Sequence, residues 1–300
     1  LFADLGDVRL WFDVSGPSVL LQGDTTVERP SLVAVHGGPG VDHSTLKGTL
    51  APLEEHVQVI YYDQRGHGRS DRSSTEFWNY RVWADDLRRL CDTLGLVKPI
   101  VLGSSFGGFI TMAYAALFSD HPGGIILTNT TAGRADDAAS LEIFRRLGGD
   151  EAAEVARHDF TTLTEQSADE FNRVCLPLYS AKPGYAEASR QMLARAIHTT
   201  EVNLYYFRNE ARHFDPWTLL PKVTCPVMIL AGEDDPICPI GVVAELASQL
   251  PAGTTRLIRL PKARHAVFRD RPDLAFAAVR EFSEAVTAGL AGHGVDSKVP

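Results

Sequence analysis

Cysteine, positive charge and long apolar runs are all scarce in this chain of 300 residues, and each scarcity removes a class of protein. The 4 cysteines are Cys91, Cys175, Cys225 and Cys238. None forms a C-x-x-C pair, and the spacings fit no zinc signature. They are too sparse for a disulfide scaffold, so buried free thiols in a reducing, cytoplasmic compartment are expected. Lys and Arg number 29 against 38 Asp and Glu, a formal net charge of −9. Most of such a surface repels phosphate, which argues against nucleic-acid and membrane partners. No stretch approaches the roughly 18 consecutive apolar residues that span a bilayer. The chain opens on Leu1-Phe2-Ala3-Asp4, without the basic-then-apolar pattern of a secretory signal.

A hydrophobic content of 44% with 22% charged residues is ordinary globular usage and ample for a core. Val8–Val14 is rich in β-formers and stops at Ser15-Gly16-Pro17; with Ser18–Gln22 it reads as a hairpin at a sheet edge. Leu32–Val35, Val57–Tyr62, Ile100–Leu102 and Ile125–Leu127 are short apolar runs without alternation, as in strands buried on both faces of a parallel sheet. Between them, Tyr80–Leu94 repeats apolar residues every three or four positions and ends at Gly95, and Phe106–Phe118 is apolar nearly all round. Such alternation implies an open α/β sheet. Residues 133–222 carry helical text and no convincing buried strand, so they read as a helical insertion between sheet strands. Val227–Leu230 resumes the sheet, Thr255–Leu260 adds a strand, and Pro272–Leu290 closes the fold as a helix, leaving a polar, frayed tail. The core is thus assigned to residues 1–132 and 223–300.

Gly103-Ser104-Ser105-Phe106-Gly107 fits G-x-S-x-G between an expected strand and an expected helix. The glycines permit a tight turn that presents the Ser105 hydroxyl at a helix amino end; small residues merely packing a turn are the plain alternative. Acyl transfer needs two donors aimed at the oxyanion. The amides of Phe106 and of Gly38, in His36-Gly37-Gly38-Pro39-Gly40, are the candidates, and His36 reads as a brace for this loop. A serine hydroxyl is inert at neutral pH without a base, and the base needs an orienting group. Asp235 follows the Val227–Leu230 strand, and His265 follows the Thr255–Leu260 strand. The order Ser105, Asp235, His265 suits this topology. Glu233 and Asp234 are rivals to Asp235.

HGGPG at His36–Gly40, DQRGHGRSD at Asp63–Asp71, W-x-x-D at Trp83–Asp86 and GSSFGG at Gly103–Gly108 together resemble the proline iminopeptidase branch of the α/β-hydrolase fold enzymes, over nearly the whole chain. That resemblance implies a helical cap after the sixth strand, the triad above, no metal or organic cofactor, and an aminopeptidase releasing N-terminal residues from a small or short-peptide substrate. It also implies that Arg65 and Asp63 hydrogen-bond the loops around the elbow. Two departures stand out: Phe106 where relatives often carry Trp, and Pro236 where some place a substrate-binding Glu after the acid. A small-molecule esterase, lactonase or amidase is therefore the alternative, and a ligand-binding protein with little turnover is a third reading. Relatives that dehalogenate or open epoxides need Asp at the elbow, where this chain has Ser105. Glu201 and Glu210 are the candidates to hold a substrate ammonium, although Glu on a cap helix is usually solvated. Tyr205 is a candidate pocket wall among Tyr206, Phe207, Phe214 and Trp217, aromatics that also suit packing of cap on core.

Overall fold

The computed structural model describes residues 1–131 and 137–289; the expected boundary at 132/133, Leu290 at the end of the closing helix, and the tail lie outside them. In chain order the first part runs β1 (Phe2–Asp4), β2 (Arg9–Ser15), β3 (Val19–Gln22), β4 (Thr25–Glu28), β5 (Ser31–Val35), α1 (Ser44–Leu50), β6 (Gln58–Tyr62), α2 (Tyr80–Thr93), β7 (Ile100–Ser104), α3 (Phe106–Leu117) and β8 (Gly124–Thr128). The segment up to β9 holds α4 (Asp137–Thr162), α5 (Glu165–Val174), α6 (Tyr185–Arg195), α7 (Thr200–Arg208) and α8 (Pro216–Leu219). The chain ends with β9 (Val227–Gly232), α9 (Ile240–Gln249), β10 (Thr255–Leu260), α10 (Val267–Asp270) and α11 (Pro272–Thr287).

Eight strands form one sheet in the order β1-β2-β6-β5-β7-β8-β9-β10. The β1–β2 and β2–β6 pairs are antiparallel and the others parallel. Six sheet strands precede the inserted helices, whose described residues contain no strand. Side chains alternate across the sheet. Val33, Val35, Val101, Leu127 and Ile229 join the core under α2, α3 and α9, while Leu32, Ala34, Leu102, Ile126 and Met228 join the one under α1 and α11. This two-sided burial explains why these strands read as unbroken apolar runs. The inserted helices have their own small core around Phe144, Ala156, Phe171 and Cys175. The helix α4 breaks at Gly149, where φ is 78°. All four cysteines are free and buried. Among the described residues no helix is long and apolar enough to cross a membrane.

The expected edge hairpin is a correction. Val19–Gln22 does not pair with Val8–Val14; it turns onto β4 in a separate two-stranded ribbon. Instead β2 pairs with β1 and, across a long loop, with β6. Strands β2 and β3 are each rich in β-formers, and nothing local tells them which partner lies beside them.

The W-x-x-D motif is a clamp on Arg65. The Arg65 guanidinium donates to both oxygens of Asp86 at 2.7 Å and to Asp7 at 2.8 Å, and Trp83 Nε1 donates to the Arg65 carbonyl at 3.1 Å. Asn79 caps the helix that carries this motif by accepting from the Val82 amide at 3.1 Å. Burial pushes the Asp86 carboxyl up, and Arg65 only partly offsets it. Arg65→Met is expected to lower the unfolding free energy in urea by about 3–5 kcal/mol, because it leaves a buried carboxylate with only the long Arg89 contact at 3.5 Å. Adding Asp86→Leu should recover part of that loss; a double variant no better than the single would show that the charge is not the cause.

Candidate active site

The parallel strands end on a common edge, and the register brings their loops together there. Gly103 of β7 lies beside Val35 of β5, Ser104 beside Thr128 of β8, Thr128 beside Leu230 of β9, and Gly232 beside Leu260 of β10. Ser105 follows β7 directly, with φ 52° and ψ −119°, a conformation rare for a residue with a side chain. Its amide donates to the Thr128 carbonyl at 2.9 Å. The flanking glycines are needed for close approach. A Cβ on Gly103 would fall 2.5 Å from the Gly107 carbonyl, and one on Gly107 would strike the Val35 carbonyl and lie 2.7 Å from that of His36. Phe106 begins α3, so its amide is one of the donors that a helix amino end leaves without an intrahelical partner.

The His36–Gly40 loop leaves β5 beside this turn. A Cβ on Gly37 would sit 3.3 Å from the Ser105 Cβ, so the loop backbone already touches the elbow. His36 is fully buried; its Nδ1 donates to the Gly37 carbonyl at 2.8 Å, and Gln64 Nε2 donates to the His36 carbonyl at 2.9 Å. This refines the role expected of the DQRG turn. Gln64 is the side chain that holds the His36–Gly40 loop at its base. Asp63 instead accepts from the His43 amide at 2.9 Å, His43 Nδ1 at 2.7 Å and the Arg69 amide at 2.8 Å. Burial pushes the Asp63 carboxyl up, but the His43 ring and these amides outweigh it and keep it below its ordinary value.

His265 and Asp235 are in contact. The imidazole Nδ1 lies 3.0 and 2.9 Å from the two Asp235 oxygens. A carboxylate can only accept, so Nδ1 is the donor in this contact and Nε2 is the ring nitrogen turned away from Asp235. Asp235 is 1% exposed and also accepts from the amides of Ile237 at 2.8 Å and Cys238 at 2.9 Å. Asp234 turns away to Arg146 of α4 at 2.7 Å, and Glu233 is exposed, which separates Asp235 from its rivals.

Tyr179, Cys238 and Asn129 stand around this pair, and Asn203 stands at the His36–Gly40 loop. Tyr179 packs edge-on against the His265 ring with centroids 4.8 Å apart, and its carbonyl accepts from the Ala266 amide at 2.9 Å. Cys238 donates its thiol to the Asn129 carbonyl at 3.1 Å; burial and the Asp235 charge push that thiol far up. Asn129, at φ 51°, belongs to the strand end between the serine and acid loops. Asn203 of α7 donates to the Pro39 carbonyl at 2.9 Å.

The substrate candidates separate cleanly. Glu201 is exposed in the first turn of α7. Glu210 is only 9% exposed, accepts from the Tyr80 amide at 3.3 Å, and is pushed up by burial, with that amide partly opposing. Tyr205 is half-buried and packs edge-on against Trp78, while Tyr206 packs on Phe106 with centroids 4.8 Å apart. Among the described residues, two groups have metal-ligand atoms within 4.8 Å of one another, Asp235/Cys238/His265 and Asp42/His43/Asp63. Both are committed to internal hydrogen bonds, the second also through Arg69 to Asp42 at 3.0 Å. A hollow of about 860 Å³ lies at the opposite end of the sheet, where Ser31 and Ile100 begin their strands. None of these groups lines it.

The family model described as alpha/beta hydrolase fold matches residues 30–272. The chain belongs to that family. A proline iminopeptidase from Pestalotiopsis fici is 24% identical over 94% of this chain and 99% of its own length. One from Levilactobacillus brevis is 28% identical over 83% of this chain and 87% of its own. Among solved structures, the proline iminopeptidase of Mycobacterium smegmatis matches in fold, with TM-score 0.72 and 24% identity over 96% of this chain and 99% of that one. A thermophilic esterase from Thermogutta terrifontis gives 0.67 and 26%, over 93% and 94%. The hydrolase fold and the proline iminopeptidase-like branch expected from the motifs are therefore both supported, and the relatives support a hydrolase activity.

Two buried histidines tie this hydrolase's elbow to pH. The rings of His36 and His67 meet edge-on with centroids 5.4 Å apart, and His67 also lies against Phe106. The His67 Nδ1 donates to the Arg65 carbonyl at 3.1 Å, and the Nε2 atoms of both rings are buried without a protein partner. Burial, and then the neighbouring His36, push His67 down to about 3; burial lowers His36 as well. Each folded value lies below the unfolded one, so the neutral rings contribute stability above about pH 6.5 that is lost as pH falls toward 3. The urea unfolding free energy should therefore decline between about pH 6.5 and 5, above the carboxylate range. His67→Gln should flatten that decline by up to about 1.4 kcal/mol per pH unit. An unchanged slope would contradict the assignment of a neutral His67.

Proposed function

We propose that this chain is a serine hydrolase working through an acyl-enzyme, with Ser105 as nucleophile, His265 as base and Asp235 as its orienting group. Ser105 Oγ attacks the substrate carbonyl carbon, and its proton passes to the bare Nε2 of His265. The amides of Gly38 and Phe106 receive the oxyanion, each contributing about 3 kcal/mol to the transition state. His265 then protonates the leaving group, and water repeats the sequence to release the acid. The observation that carries this reading is the buried His265–Asp235 contact at 2.9 Å, on the same sheet edge as the strained Ser105 turn.

Within that chemistry the reading is an aminopeptidase of proline iminopeptidase type, acting on a short peptide or a small amide. The names of the sequence relatives support it, and Glu210 supports it physically. A desolvated carboxylate with one amide donor gains from pairing with a substrate ammonium. Tyr206, whose ring packs on Phe106, is close enough to Glu210 to feel its charge. The second reading, an esterase, lactonase or amidase indifferent to an amine, is favoured by Pro236, which supplies no carboxylate after Asp235.

Ser105→Ala should abolish turnover and labelling by a fluorophosphonate probe while leaving the circular dichroism unchanged; retained turnover would overturn the assignment. Asp235→Asn should lower kcat by roughly 10³–10⁴-fold. Absent labelling of the parent chain would favour the ligand-binding alternative. A panel of prolyl and alanyl arylamides, their N-blocked forms, p-nitrophenyl esters and lactones separates the remaining two. The peptidase reading requires a free α-amine, and Glu210→Gln should then raise KM for prolyl arylamide about tenfold or more. Equal rates on blocked and free amides leave the esterase or amidase reading.

A further inference from the structure

We infer that Asn203, on the inserted helix α7, is a positioning residue for the oxyanion loop. The inference rests on the reading that Gly38 supplies an oxyanion amide. The base of the His36–Gly40 loop is held from the core, through Gln64 on the His36 carbonyl. Its tip is held from the inserted segment. Asn203 Nδ2 donates to the Pro39 carbonyl at 2.9 Å, and the Thr199 amide, just before α7, donates to the Gly40 carbonyl at 2.9 Å. Contact is close enough to shape the sequence: a Cβ on Gly40, where φ is 89°, would lie 2.8 Å from the Asn203 Cβ and 3.0 Å from the Thr199 carbonyl.

The grip matters because of what it restrains. Gly38 and Gly40, at φ 117° and 89°, are backbone positions with few intrinsic constraints. An oxyanion donor works only within about 2.7–3.1 Å of the developing charge, and a misplacement near 1 Å costs about a hundredfold. The unit carrying the Gly38 amide lies between the His36 carbonyl, held by Gln64, and the Pro39 and Gly40 carbonyls, held by Asn203 and Thr199; with both ends of so short a span fixed, the rigid peptide planes between them turn less freely. The Asn203 amide is suited to this, since its nitrogen donates to a carbonyl. Aspartate has the same shape but only accepts, and it would repel the Pro39 oxygen. Asn203 therefore acts on the transition state through the loop and need not touch substrate.

The test uses the full chain with p-nitrophenyl acetate as substrate and phenylboronic acid as the tetrahedral mimic. Asn203→Ala and Asn203→Asp should each lower kcat roughly 10–100-fold, Asp more than Ala, with KM changed less than about twofold. Affinity for the boronic acid should fall in step with kcat. Arg208→Ala is the control for a merely loosened helix: Arg208 donates to the Leu163 carbonyl at 2.6 Å, inside the inserted segment and away from the loop. It should keep the parent kcat. The proposal is overturned if the Asn203 variants keep the parent kcat, if they raise KM alone, or if Arg208→Ala lowers kcat as far as they do. Should Asn203→Ala fail to fold, Asn203→Asp, of equal volume, carries the test. Retained turnover in Ser105→Ala would instead remove the underlying hydrolase reading, so the two failures are distinguishable.

Discussion

The turn at Ser105 holds a backbone conformation that costs about 1–3 kcal/mol, and it persists only because the surroundings leave it no alternative. Helix α3 behind it is buried along nearly its whole length, so it cannot swing out to relax the turn. The Ser105 amide is engaged by the end of β8, and Gly107 presses on the end of β5 without room for a side chain. Three strand ends are thereby drawn to one point. The His36–Gly40 loop comes to touch Ser105 for the same reason, since it leaves the strand that Gly107 presses against. Packing of a single helix against a sheet thus sets both the presentation of the hydroxyl and the approach of the amides beside it.

Residues whose environment is local were legible in the sequence, and those that depend on remote partners were not. Runs such as Leu32–Val35 and Ile125–Leu127 announced doubly buried strands because both sheet faces are covered. The elbow was legible because strand, glycines and helix are contiguous. Pairing of β2 with β6 rather than with β3 was not, since it depends on which segments the sheet brings alongside. The turn at Asp63–Gly66 was recognisable as a brace, yet its labour is divided otherwise than expected, with Gln64 on the His36–Gly40 loop and Arg65 on Asp86. Asn203 and Tyr179 were invisible for a different reason. Each is one polar or aromatic residue in helical text that looks solvent-facing, and it gains meaning only once the inserted helices are laid on the core. The one local hint was Gly40, a glycine whose missing Cβ makes room for α7.

The inserted helices are joined to the sheet edge at two places that face the chemistry. One is the His36–Gly40 loop, through Thr199 and Asn203. The other is the histidine loop: Arg264 donates to the Ser180 carbonyl at 3.1 Å, and Asp270 accepts from the amides of Ala181 and Arg264 at 3.1 and 2.8 Å and from the Ser180 hydroxyl. Tyr179 stands between these bonds with its ring on His265. Hydrogen bonds to buried carboxylates are among the stronger ones in proteins, so this second junction resists separation. The insertion is therefore part of the scaffold that holds the His265 loop and the His36–Gly40 loop.

On the peptidase reading proposed above, discrimination between a free amine and a blocked one would fall on one carboxylate. The nucleophile, base and amides treat an ester and an amide alike, differing only in how much help the leaving group needs from His265. Selectivity for a free amine must come from a group that gains by meeting a cation. Glu210 is such a group: burial has raised the free energy of its charged form, and the Tyr80 amide satisfies only one oxygen. An ammonium returns what burial removed, worth about 1.5–3 kcal/mol for a charge-assisted hydrogen bond, or roughly 10–150-fold in kcat/KM. A substrate without the amine leaves Glu210 as it is and forgoes that factor. Pro236 offers no second carboxylate beside Asp235 to add to it, so discrimination by this chain should be of that single-contact size.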